Sequence, residues 1–258
     1  MIAGKFEETI LDLKNKTALV TGAGSGFGEA MARAFVEHGA RVAVVDLRRE
    51  AAERVANALG SGSALAIEAD VSSGVAVRGA VAKTTQAFGV PHIVVNNAGF
   101  THKNRPMLEV DEATFDKIFA VNVKGIYHMV GAVAEAMRDN GGGVMLNIGS
   151  VAGIRPRPGL VWYSASKGAA NVLSKALAVE LAPWKIRVNA ICPVMAPTGM
   201  LTDFMGGPDS PELRSKFVGT IPMGRFCDPR DVAEAALYLA SADFITGVEL
   251  PVDGGRAV

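Results

Sequence analysis

The sequence predicts an α/β fold built on a doubly wound parallel sheet of about seven strands with helices on both faces. Short β-branched runs alternate with longer segments of helical spacing, which implies βαβ units and right-handed crossovers. A glycine-rich turn joins the first of these runs to the first helical segment. The 258 residues, 49% apolar and 20% charged with 29 glycines, supply a large core and many tight turns.

In chain order the predicted strands are Thr17–Thr21, Arg41–Asp46, Ala64–Ala69, His92–Asn96, Val144–Gly149 and Arg187–Cys192. Helical spacing begins near Gly26, Arg48, Ser72, Asp111 and Gly159, the Asp111 helix running to Met137. A last helix from Asp228 precedes a final strand, Val248–Val252. No linker, repeat or low-complexity tract divides the chain, so residues 1–258 are expected to form one domain. The one long irregular piece, 193–222, contains Gly206-Gly207-Pro208 and Pro211 and is expected to cover a substrate, since loops of that length in compact domains are usually functional.

Lys+Arg and Asp+Glu both number 26, so no global field draws the chain to nucleic acid or an anionic membrane, and a small-molecule ligand fits better. Met1–Asn15 mixes charged and isolated apolar residues and does not read as a signal peptide. No stretch approaches the roughly 20 apolar residues of a membrane span. The two cysteines, Cys192 and Cys227, sit in apolar contexts and read as buried free thiols, which makes the cytoplasm the expected location. His38, His92, His102 and His128 share no metal-ligand spacing, so no catalytic metal is expected. His102 follows Asn96-Asn97-Ala98-Gly99 and could line the pocket, though an ordinary loop histidine is the favoured reading; Arg155 and Arg157 could meet an anionic substrate, though solvated loop charges are the favoured reading.

The first strand runs into Thr21-Gly22-Ala23-Gly24-Ser25-Gly26-Phe27-Gly28. Glycines let a backbone approach a pyrophosphate, which the following helix N-terminus holds through its amides and dipole. Gly22, Gly26 and Gly28 follow G-x-x-x-G-x-G rather than the commoner G-x-G-x-x-G. Placed between strand and helix, this is a Rossmann-type turn, and Gly22, Ser25, Gly26, Phe27 and Gly28 are expected to bind a dinucleotide. Asp46 ends the second strand about twenty residues on, where a carboxylate accepts hydrogen bonds from the adenosine ribose. Asp70-Val71 and Asn97-Ala98-Gly99 follow the third and fourth strands, at the sheet edge where open α/β sheets bind ligands.

Ser150 follows the fifth strand, and Tyr163-Ser164-Ala165-Ser166-Lys167 places Tyr163 and Lys167 on one face of the next helix. A phenol of pKa near 10 needs roughly 4 kcal/mol of differential stabilisation to act as a base near pH 7, which a neighbouring ammonium and an oxidised nicotinamide can supply. Together with the glycine turn, Asn96-Asn97-Ala98-Gly99 and Asn122, this pattern strongly resembles the short-chain dehydrogenase/reductase family over nearly the whole chain. The resemblance implies that Ser150 polarises the substrate oxygen, Tyr163 exchanges its proton, and Lys167 binds the nicotinamide ribose and lowers the tyrosine pKa. It further implies that Asn122 holds a water linking Lys167 to solvent, that Pro193 and Thr198 lie near the nicotinamide, and that the chain is a homo-oligomer, expected as a tetramer. Val194 stands where the family commonly has glycine, so the local turn is expected to differ.

The expected activity is NAD(H)-dependent interconversion of a secondary alcohol and a ketone. NAD rather than its phosphorylated form is expected because Asp46 repels a 2′-phosphate and Ser25 stands where phosphate-preferring relatives often carry arginine. The competing enzyme reading is a 3-oxoacyl-thioester reductase, which Ile221-Pro222-Met223-Gly224-Arg225-Phe226 resembles. A dinucleotide-sensing protein without turnover is the reading from another class, and retention of Asn122, Ser150, Tyr163 and Lys167 speaks against it. Phe100, Ile154, Trp162, Met195, Leu201, Phe204 and Met205 suggest an apolar substrate pocket.

Overall fold

A computed structural model describes residues 12–258, so most of the Met1–Asn15 segment lies outside the described residues. One seven-stranded sheet runs in the order β3-β2-β1-β4-β5-β6-β7 with every pairing parallel. Its strands are β1 Thr17–Thr21, β2 Arg41–Asp46, β3 Ala64–Glu68, β4 Ile93–Asn96, β5 Gly143–Ile148, β6 Ile186–Pro193 and β7 Glu249–Val252. β1 and β4 are buried along their full length, as a sheet covered on both faces requires.

The helices are α1 Gly26–Glu37, α2 Arg49–Leu59, α3 Gly74–Phe88, α4 Glu112–Phe119, α5 Gly125–Asp139, α6 Val161–Leu181, α7 Leu201–Met205, α8 Pro211–Val218 and α9 Pro229–Ser241. On one face Met31 and Phe35 of α1, Val55 of α2 and Val232 and Leu237 of α9 pack against Val20, Val44, Val95 and Leu146. On the other, Val77 and Val81 of α3, Met129 and Val133 of α5 and Leu181 of α6 pack against Leu19, Val45, Val94 and Val188. Each fully buried side chain of this size contributes about 1.5–3 kcal/mol of transfer free energy, which makes the two layers the main source of stability. The strands turn back on either side of β1 and β4, and the crevice beyond their C-terminal ends is where such sheets bind ligands.

Three expectations need correction. The helix read as continuous from Asp111 to Met137 is interrupted by a π-helical turn, Ala120–Lys124, between α4 and α5. The segment 193–222 is not irregular, since it contains α7 and α8. Pro211, placed in that irregular piece, is the first residue of α8, where its fixed φ and missing N–H cost nothing, and the Ser210 hydroxyl accepts from the Leu213 amide at 3.2 Å. Several helices start after the residue that seemed to open them because that residue is a cap. Asp111 accepts from the Thr114 amide at 2.7 Å, and Asp228 forms a capping box with Asp231.

Candidate active site

A cavity of about 490 Å³ opens at the C-terminal edge of the sheet. Of the residues expected to bind a dinucleotide, Gly22, Ser25, Gly26, Phe27, Asp46, Asp70, Val71, Asn97, Ala98, Gly99, Tyr163, Lys167, Pro193 and Thr198 line it, together with Ser150. Gly28 and Asn122 do not, and both turn out to support the wall from behind.

The glycine turn is held from three sides. Gly22 and Gly26 adopt φ of +61° and +56°, a left-handed conformation that side chains resist. A Cβ on Gly28 would stand 2.3 Å from the Gly22 carbonyl oxygen, so Gly28 serves close packing of helix on turn rather than ligand contact. Asn97 donates through Nδ2 to the Thr21 and Gly22 carbonyls at 2.8 and 3.0 Å, while the Thr21 hydroxyl accepts from the Asn97 and Ala98 amides. Thr198 closes the turn from above, its Cγ2 lying 3.2 Å from where a Cβ of Gly26 would stand. A backbone without side chains, opening a twelve-residue helix whose first-turn amides lack intrahelical acceptors, fits a diphosphate.

Asp46 is buried at the end of β2, with Oδ2 accepting from the Gly24 amide at 2.9 Å and Oδ1 from the Arg48 amide at 3.0 Å. Its carboxylate is thereby fixed in orientation at the cavity wall. Asp70 accepts from the Ser72 amide and hydroxyl at 2.8 and 2.7 Å, so turn chemistry accounts for its conformation.

At the other end of the cavity Tyr163 and Lys167 share one face of α6 and are 6% and 5% exposed. Lys167 Nζ donates to the Ile148 carbonyl at 2.6 Å and lies 5.9 Å from the centre of the Tyr163 ring. The Ser150 hydroxyl accepts from the Ala152 amide at 3.0 Å, which starts a 3₁₀ turn and orients the residue. Burial pushes the Tyr163 phenol up to about 12, with the Ser150 hydroxyl beside it pulling the other way. Burial also brings the Lys167 ammonium down to about 8. In the protein alone burial dominates the shift of the Tyr163 phenol, and Lys167 is not among its causes.

Asn122 lies on the π-helical turn with its side chain fully engaged. It accepts from the Phe100 amide at 2.8 Å and donates to the Phe100 carbonyl and the Ser166 hydroxyl, both at 2.9 Å. The side chain thus clasps the loop that follows Gly99 to α6. Val194 is not left-handed, since Asn15 and Lys185 alone among the described non-glycine residues have positive φ. Its amide donates to the Val252 carbonyl at 3.1 Å, which continues the β6–β7 ladder without strain.

A family model described as enoyl-(acyl carrier protein) reductase matches residues 22–257. The chain is also 46% identical, over 96% of its length and 100% of the relative, to 4-formylbenzenesulfonate dehydrogenase of Comamonas testosteroni. The chain belongs to the short-chain dehydrogenase/reductase family. Among solved structures of the family it resembles 3-ketoacyl-(acyl-carrier-protein) reductase from Brucella melitensis complexed with NADH, at TM-score 0.90 and 47% identity over 96% of this chain and 100% of that one. It also resembles NAD⁺-bound xylitol dehydrogenase, at TM-score 0.88 and 32% identity over 94% of this chain and 99% of that one.

This short-chain dehydrogenase/reductase uses several residues that its sequence did not flag. Arg54 donates to the Gly24 carbonyl at 2.8 Å while paired with Glu29 of α1, and so clamps the glycine turn to α2. Phe217 and Met200, not expected there, join Phe204 on the cavity wall, and Phe204, which was expected in the apolar pocket, places its ring 5.1 Å from that of Tyr163. Trp162, Ile154, Leu201 and Met205 do not line the cavity. Trp162 instead meets Phe115 edge-on at 5.4 Å and donates to the Met107 carbonyl. Arg157, expected as a solvated loop charge, is half-buried on the cavity wall. Cys192 is fully buried beneath the site, its thiol pushed up to about 12 by burial, which suits a packing role. His102 is buried as well and does not line the cavity, so it is a packed loop residue. Among the described residues no group of three or more His, Cys, Asp or Glu is placed to hold a metal ion.

Proposed function

We propose that the chain is an NAD(H)-dependent oxidoreductase that interconverts a secondary alcohol and a ketone in this cavity. The observation that carries the reading is the burial of Tyr163 and Lys167 on one wall, beside Ser150, in the same cavity that Gly22, Gly26 and Asp46 line. The bound dinucleotide supplies or accepts the hydride, and the protein supplies orientation and the proton.

The glycine turn and the start of α1 hold the diphosphate, and Asp46 accepts a hydrogen bond from the adenosine ribose. Lys167 holds the nicotinamide ribose, with Pro193 and Thr198 beside the ring. Ser150 donates to the substrate oxygen. Tyr163 gives its phenolic proton to that oxygen in reduction and takes it back in oxidation. Asn122 acts through position, fixing Phe100 and Ser166 around Lys167. Residues 12–258 work as one unit, with α7 and α8 as the cover over the substrate.

The test is a screen of secondary alcohols and ketones that follows the absorbance of reduced nicotinamide. Turnover of at least one alcohol/ketone pair is expected, and no turnover of any, with tight NADH binding, would leave a sensing role. The Brucella melitensis structure favours a second reading, reduction of a 3-oxoacyl thioester. Arg225 speaks against using the Ile221–Phe226 motif as support for it. That side chain makes two hydrogen bonds to Asp231, at 2.5 and 2.9 Å, and thereby buttresses the start of α9 rather than facing a substrate. An acetoacetyl thioester in the same screen separates the two.

No helix among the described residues is long and apolar enough to cross a membrane, and Cys192 and Cys227 are buried free thiols. These features support a cytoplasmic protein. Tetramer formation through α5 and α6 is supported by Tyr127 of α5 and Val172 and Val179 of α6, which are 70%, 65% and 80% exposed. Light scattering is expected to give four times the 26.9 kDa chain mass, and a monomer at micromolar concentration would refute it.

A further inference from the structure

The two carboxylates on the cavity wall are Asp46, the last residue of β2, and Asp70, which follows β3; Arg48 stands beside Asp46, and Lys117 and Lys167 also line the wall. Arg155, Arg157 and Arg256 lie at the other end, Arg256 following the last strand, β7. No carboxylate lines the wall there.

Arg157 and Arg256 are each half-buried, and among the described residues neither is in a salt bridge. Arg157 donates through Nη2 to the Phe204 carbonyl, and its guanidinium lies 4.9 Å from the centre of the Phe217 ring. One carbonyl uses one of five guanidinium donors. The Arg256 side chain makes no hydrogen bond among the described residues, whereas its carbonyl and that of Val258 each accept from Arg155 Nη1 at 2.9 Å. Arg155 is therefore the brace that holds the chain segment carrying Arg256. Burial and the charge of Arg256 both disfavour the protonated form of Arg157. A half-buried guanidinium stacked on the Phe217 ring, with a second guanidinium on the same cavity wall and no carboxylate lining that end, is costly unless an anion joins them. Phe204 connects this pair to the chemistry, since its carbonyl takes Arg157 and its ring packs on Tyr163.

We infer that Arg157 and Arg256 form an anion-binding end of the substrate cavity, and that the physiological alcohol or ketone carries a carboxylate or sulfonate on an apolar body. The inference rests on the proposed alcohol/ketone activity for its substrate, though not for the anion site itself. The planar forked donors of arginine match either oxyanion, and Phe204, Phe217 and Met200 take the apolar body.

The test compares 4-acetylbenzoate, 4-acetylbenzenesulfonate and the neutral 4-methylacetophenone as ketones with NADH, in the unmodified protein and in Arg157→Gln, Arg157→Lys and Arg256→Gln. The unmodified protein is expected to favour at least one anionic ketone over the neutral one by about tenfold or more in kcat/KM, and which one tells carboxylate from sulfonate. Arg157→Gln and Arg256→Gln should each cut that ratio by about tenfold, with Arg157→Lys retaining part of it. Arg256→Gln guards against misfolding of the Arg157 variant, because the Arg256 side chain holds no described part of the fold. Calorimetric titration with benzoate and benzenesulfonate reads the site without turnover. Anion binding lost in both Gln variants supports the inference even if none of the ketones is reduced, in which case the activity reading alone fails. An unmodified protein with no anion preference and no anion binding, or a ratio and a binding affinity that neither Gln variant changes, overturns it.

Discussion

Tyr163→Phe is expected to lower kcat by at least about a hundredfold while NADH binds with nearly unchanged affinity. The substitution removes one oxygen and leaves the ring, which is 6% exposed and packed 5.1 Å from the Phe204 ring, so neither fold nor cavity should change. A positioned acid/base contributes about 10²–10⁴ to such a step, and Ser150 cannot replace it because a serine hydroxyl is a far weaker acid than a phenol. The direction of the pKa shift adds a second signature. Burial holds the phenol at about 12, so at neutral pH it is protonated and ready to donate. Ketone reduction should therefore be nearly flat between about pH 6 and 8, whereas alcohol oxidation needs the phenolate and should rise with pH over the same range. Steady-state kinetics in both directions with fluorescence titration of NADH will check this. Retention of more than about a tenth of kcat by the phenylalanine variant would reject Tyr163 as the acid/base group.

Much of this site was legible because the residues concerned act through backbone geometry and short spacing. Gly22 and Gly26 had to be glycine for a left-handed turn, and the four-residue step from Tyr163 to Lys167 puts both on one helical face wherever α6 lies. The strand cores were legible for the same reason, since continuous β-branched runs have few alternatives in a sheet buried on both sides. What escaped depends on contacts far apart in the chain. Nothing local to Arg157 says that α7 will bring the Phe204 carbonyl to it, or that the end of the chain will bring Arg256 alongside. The grip of Arg54 on Gly24 spans α1 and α2 in the same way. The π-helical turn at Asn122 is invisible to periodicity because a single wide turn shifts the apolar register by one residue within a helix that otherwise continues. α8 was missed because Gly206-Gly207-Pro208 and Pro211 made the segment look irregular, whereas Pro211 is a first helical residue.

Preference for NAD⁺ over NADP⁺ is expected to be at least about tenfold in kcat/KM, a difference of only about 1.4 kcal/mol. The Asp46 carboxylate cannot turn away from a 2′-phosphate, because the Gly24 and Arg48 amides hold one oxygen each. At about 4 Å and an effective dielectric of 20, each like-charge pair costs on the order of 4 kcal/mol before screening, so the repulsion exceeds the required difference comfortably. Arginines nearby are the counter-argument, and two of three are already occupied. Arg49 pairs with Glu53 at 2.8 Å and Arg54 with Glu29 at 2.5 Å, which leaves Arg48, exposed at the rim, to offset part of the repulsion. The structure also decides which variant tests the idea. Asp46→Ala would strip two amides of their acceptor, at about 1–3 kcal/mol each, and confuse specificity with stability. Asp46→Asn removes the charge and keeps one acceptor oxygen. Ser25→Arg adds a phosphate partner at an exposed, extended residue with φ of −166°, where any side chain is tolerated. The double variant should narrow the NAD⁺/NADP⁺ ratio to near one or invert it, while each single change moves it part of the way. Equal efficiency with both cofactors in the unmodified protein, or a double variant with an unchanged ratio, would show that the carboxylate at the end of β2 does not set the choice.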